Sequence, residues 1–106
     1  MITAEFFRNK SEIIGFRISG HAGYSVNGDD IVCASVSSAV QFAANLITEC
    51  FKTEADVNAV GETINLMLAG LENRDNAVKV LDALKLHLEL LSEDYEKTIK
   101  ITFLEV

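Results

Sequence analysis

Apolar and polar residues alternate at the start of the chain, then settle into a three-to-four-residue spacing further on. In "ITAEFFR", residues 2–8, Ile2, Ala4 and Phe6 share one side, the period-two pattern of a β-strand. Residues 9–11 read as a short turn. "EIIGFRISG" then puts Ile14, Phe16 and Ile18 on one face of a second strand that closes a hairpin. A loop studded with glycine is expected over 21–28. From Asp29 or Asp30 to about Phe51 the period is helical: Val32, Val36, Ala39, Ala43, Leu46, Ile47 and Cys50 share a wide stripe. Either aspartate suits the N-cap. Two more strands are predicted over 54–60 and 62–69 around Gly61, with Ile64, Leu66 and Leu68 on one face. A second amphipathic helix follows over 71–94, its inner face Ala77, Leu81, Leu84, Leu88 and Leu91. Leu86 and Leu90 point away from that face, as surface residues or as a self-association face. The chain closes with a strand carrying Ile99, Ile101 and Phe103 in register. The order ββαββαβ predicts an α+β fold in a single domain over 1–106: a mostly antiparallel five-stranded sheet with two helices packed on it.

Composition narrows the functional classes. A chain of 106 residues suits one hydrophobic core, and no linker, repeat or low-complexity run divides it. No run of ~20 uncharged apolar residues is read in it, which argues against a membrane span. The first residues lack the basic start and apolar run of a signal peptide, so the expected compartment is the cytoplasm. Two cysteines are too few for a disulfide framework. A formal charge of −7 argues against direct nucleic-acid binding and is compatible with a basic peptide or protein partner.

The chemistry concentrates in "GHAGYSVNGDDIVCAS", residues 20–35. With Asp30 as cap, Cys33 lies in the first helical turn. There, free N–H groups and the helix dipole favour an anion, so a thiolate is stabilised. Cys33 sits at the rim of the apolar stripe, whereas Cys50 lies in its middle and is expected in the core. His21 ends the second strand at the mouth of the loop; placed beneath the helix start, its imidazole reaches the sulfur as general base. A carboxylate of Asp29 or Asp30 would raise the thiol pKa if near Cys33, or fix the tautomer of His21 if bonded to it. Gly20, Gly23 and Gly28 make the loop a candidate lid over a peptide, and backbone N–H groups at the helix start, Cys33 included, are candidate oxyanion donors. The plainer reading keeps Cys33 as a small packed residue and His21 as a turn residue. A metal held by His21, Cys33 and an aspartate lacks a full ligand set, so neither metal nor cofactor is expected. His87 reads as a solvated flank of the second helix, and the small residues over 34–39 read as close helix–sheet packing.

"SGHAGYSVNGDDIVCASVS" resembles the Prp family of ribosomal-processing cysteine proteases. Gly20, His21 and Ala22 match that family's G-H-A block; Asp30, Ile31, Val32, Cys33 and Ala34 match its D-I-V-C-A block. The opening strand, small size, acidic balance and element order agree, so the likeness runs along essentially the whole chain. The resemblance implies a cysteine endopeptidase with His21 as base, Cys33 as nucleophile and Asp30 as an orienting or capping residue. Gly20, Ala22, Gly23, Gly28 and Ala34 become candidates for the oxyanion hole or a closing substrate loop. It also implies a homodimer and a substrate: the N-terminal extension of large-subunit ribosomal protein twenty-seven, cut after an apolar segment ending in two phenylalanines. Residues 23–29 match only in having glycines, so no contact is carried over to Tyr24, Ser25 or Asn27. A non-enzymatic ribosome-assembly or peptide-binding module, with structural His21 and Cys33, is the competing reading. A thiol-transfer enzyme is weaker, since no Cys-x-x-Cys pair is present.

Overall fold

The alternation at the start of the chain becomes a hairpin of β1 (Ile2–Asn9) and β2 (Glu12–Ser19), paired antiparallel. The structure, a computed structural model, describes residues 1–20 and 27–106, the side chains of 27–30 excepted. Lys10 and Ser11 join the two strands with φ of 50° and 75°. Positive φ at both central residues is what a tight two-residue hairpin requires to follow the right-handed strand twist. Helix α1 (Asn27–Asn45) runs on into a π-helical turn, Leu46–Cys50. A second hairpin, β3 (Ala55–Val60) and β4 (Thr63–Leu68), precedes helix α2 (Arg74–Asp94) and strand β5 (Ile99–Glu105).

The five strands form one sheet in the order β3-β4-β2-β1-β5, antiparallel except for the β1–β5 pair. The expected ββαββαβ order and mostly antiparallel sheet are thus what the chain builds. Ile2, Ala4, Phe6, Phe16, Ile18, Leu66, Leu68 and Ile99 face one way. They bury against Val32, Val36, Val40, Ala43, Ala44 and Ile47 of the first helical segment and Ala77, Val78, Leu81, Leu84 and Leu88 of α2. Each large side chain so buried contributes roughly 1.5–3 kcal/mol. The opposite face carries a polar row, in which the Arg17 guanidinium donates to Asn65 Oδ1 at 2.9 Å and lies 3.5 Å from Glu5 Oε1.

Four local expectations are corrected. Ile13, not Ile14, enters the core, because a β-bulge shifts the β1–β2 register between Phe7 and Arg8 and turns the following pleat over. Helix α1 begins at Asn27, so residues 27 and 28 leave the predicted loop, and Asp29 and Asp30 lie in the first turn rather than at a cap. Acidic residues suit that first turn, where the helix dipole favours negative charge. Cys50 is exposed. The Phe51 N–H bonds the Leu46 carbonyl five residues back, at 2.9 Å. That wider turn rotates Cys50 off the stripe that 3.6-residue spacing assigns it. Finally, Ile31–Cys50 is long and apolar enough to cross a membrane. In the fold its buried side lies in the core, and Ser38, Gln41 and Asn45 are exposed on its other sides.

Candidate active site

Cys33 is half-buried and packs against the core. As the seventh residue of α1 it stands in the second turn, not the first. A helix leaves only its first four N–H groups free, so the amides of Cys33 and Ala34 belong to the intrahelical ladder. The sulfur's setting is therefore defined by its surroundings rather than by an open helix end.

Those surroundings form a groove of ≈ 340 Å³. One wall comes from α1: Cys33, Val36, Ser37, Val40 and Gln41. The floor comes from Ile2, Ile18 and Ile64, and the end of β2 contributes Ser19 and Gly20. The far rim is the second hairpin, with Ala59, Gly61, Glu62 and Thr63. Cys33, Ser37 and Gln41 follow one another at four-residue intervals, so they make a single strip along the helix. Such a strip places the Cys33 thiol at one end of a trough able to take an extended chain.

Gly20 is held here by two independent constraints. Its φ is +91°, and a Cβ at this position would lie 2.6 Å from the Met1 carbonyl oxygen. Met1 cannot readily give way, because the next residue's N–H donates to the Thr98 carbonyl at 2.8 Å and anchors β1 beside β5. The close packing of β2's end on the first residues of β1 thus fixes the point from which the chain leaves for His21.

Of the residues the sequence singled out, the structure brings Cys33 and Gly20 to one groove. His21, Ala22, Gly23, Tyr24 and Ser25 lie outside the described residues, as do the side chains of Asp29 and Asp30. Gly28 falls within the first turn of α1. Ala34 is placed elsewhere: it is exposed and lines a second cavity, ≈ 980 Å³, between α1 and α2. That cavity also takes in Phe42, Phe51, Lys79, Val80 and His87, and Phe42 is 70% exposed at its edge. Sequence reasoning missed the β3–β4 hairpin as part of the site. The only available signal was the strand order, which puts β4 beside β2 and so brings Ile64 next to Ile18.

The family described as cysteine protease Prp matches the chain over residues 1–100. A ribosomal processing cysteine protease Prp from Bacillus subtilis (strain 168) is 27% identical over 108 residues, which span 96% of this chain and 96% of that protein. The solved structure of an essential ribosomal processing protease Prp from S. aureus, in complex with a covalently linked product peptide, is similar with a TM-score of 0.87. The two are 25% identical, over 98% of this chain and 100% of the other. The S. aureus Prp in complex with a substrate peptide gives a TM-score of 0.86 at 24% identity, over 98% and 100% of the two chains.

Proposed function

This chain belongs to the Prp family of cysteine proteases, and from that premise we propose that it processes a ribosomal protein with Cys33 as nucleophile and His21 as general base. The observation that carries the assignment is the placement of Cys33 in a groove shared with Gly20, the residue directly before His21. Its relatives are named as ribosomal processing proteases. The substrate we assign is the N-terminal extension of large-subunit ribosomal protein twenty-seven, cut after an apolar segment ending in two phenylalanines. The apolar floor of Ile2, Ile18 and Ile64 suits such a segment. The charge of −7 suits a basic partner.

The reaction follows from these roles. The His21 imidazole takes the Cys33 proton, and the thiolate adds to the scissile carbonyl carbon. Backbone N–H groups of Gly20, Ala22, Gly23 or Gly28 receive the developing oxyanion, since the Ala34 amide is engaged within the helix. The imidazolium protonates the leaving amine as the C–N bond breaks, giving a thioester. Water, losing a proton to His21, then attacks the thioester; the C–S bond breaks and the acid product leaves with the thiol restored. Asp30 is assigned as the residue that orients His21, and the segment after Gly20 as the loop that closes on the peptide. The enzyme acts in the cytoplasm, where its thiols stay reduced. It acts as a homodimer joined across the apolar cavity between α1 and α2, with Leu86 and Leu90 beside it on the same side of α2.

The test is mass spectrometry of the unprocessed ribosomal protein incubated with this chain. One mass loss at an apolar–small junction is expected. Cys33→Ala should abolish cleavage while the complex persists; cleavage by that variant would refute the nucleophile.

A further inference from the structure

The register of the sheet builds a graded floor in the Cys33 groove. Ala59 of β3 stands opposite Ile64 of β4, and Ile64 opposite Ile18 of β2. Directly opposed residues share a face, so the three side chains form one row. All three line the groove, and exposure rises along the row: Ile18 is buried, Ile64 half-buried and Ala59 exposed. The row therefore opens toward the edge of the sheet, and its outermost member is its smallest. Over this floor runs the Cys33–Ser37–Gln41 strip of α1. At 1.5 Å per helical residue the strip is about 12 Å long. That length matches about three to four residues of extended peptide. A peptide lying along the strip presents alternate side chains to the floor.

We infer that the Ala59–Ile64–Ile18 row is the subsite for a large apolar side chain flanking the scissile bond, and that Ala59 sets the size it admits. This rests on the peptidase reading above and names the residue that tunes it. A ring laid over Ile18 and Ile64 extends outward over Ala59, where only a methyl group stands. A larger residue there fills the opening and leaves room for small side chains alone. Ala59 is exposed on an edge strand, so enlarging it does not disturb the core.

The experiment compares kcat/KM for two peptides that differ only by Phe or Ala immediately before the cut. The unaltered chain should prefer Phe. In Ala59→Phe the Phe/Ala ratio should fall roughly 10- to 200-fold, the range by which a hydrophobic pocket discriminates size. Ala59→Val should fall between. Val57→Phe serves as control: Val57 shares the face of β3 but lies outside the groove, so its ratio should stay near that of the unaltered chain. An unchanged ratio in Ala59→Phe, or an equal fall in Val57→Phe, would overturn the assignment while leaving the peptidase reading intact. Failure of the unaltered chain to cut either peptide would overturn both.

Discussion

Gly20→Ala is the substitution whose cost the backbone allows one to work out in parts, with Gly61→Ala as its reference. Both glycines have positive φ, +91° and +60°. An L-residue forced into such a conformation costs about 1–2 kcal/mol at either position. At Gly61, in the turn between β3 and β4, an added Cβ meets nothing within 4 Å, so that is the whole cost. At Gly20 the same Cβ would sit 2.6 Å from the Met1 oxygen, well inside the 3.0 Å that real Cβ contacts respect. Relief requires moving the start of β1 away from β2, against its pairing with β5. Overpacking of this kind adds about 1–3 kcal/mol. Gly20→Ala should therefore be less stable than Gly61→Ala by that added amount.

Urea denaturation followed by circular dichroism measures the difference directly, with unchanged slope as the check that only stability moved. In thermal unfolding each kcal/mol corresponds to about 4 °C for a chain of this size. Gly20 also aims the chain toward His21, so cleavage should fall by more than the loss of folded protein explains. A misplacement of about 1 Å costs on the order of 100-fold in rate. If Gly20→Ala proved no less stable than Gly61→Ala, the close contact with Met1 would not be a constraint on the end of β2.

Two further outcomes follow from the same geometry. Site-resolved alkylation should label exposed Cys50 in the folded protein, and a bound substrate peptide should protect Cys33 in its groove while leaving Cys50 unaffected; equal protection at both would place the peptide elsewhere. Leu86→Glu with Leu90→Glu puts charge on two exposed positions of α2; light scattering of the parent should report the proposed dimer and of the double variant a monomer, whereas a monomeric parent would refute the dimer and an unchanged dimer mass would move the interface off this face.

What the sequence reveals and what it hides separate along a physical line. Periodicity reports burial within one element, and it locates the strands and both helices because Phe6, Phe16, Leu81 and Leu88 must each face a core. It breaks where one residue changes the phase. The bulge opposite Phe7 and Arg8 exchanges Ile14 for Ile13, and the π-helical turn carries Cys50 out to solvent. Neither event has a marker in composition. The site divides in the same way. Cys33 and Gly20 are legible as neighbours in one groove because the two motif blocks lie close together in the chain, while His21 lies outside the described residues. Ala59 and Ile64 are not, because they reach Cys33 only through the pairing of β4 with β2, which no period encodes. The error over Cys33 itself is more instructive. Moving the helix start from Asp30 to Asn27 takes the sulfur out of the first turn and removes the free helical N–H groups as its support. On the reading proposed above, a thiol so placed relies on a base brought to the groove rather than on the helix end. The proposed roles then rest on the Gly20 geometry, from which the chain continues to His21, more than a capped helix start would have required.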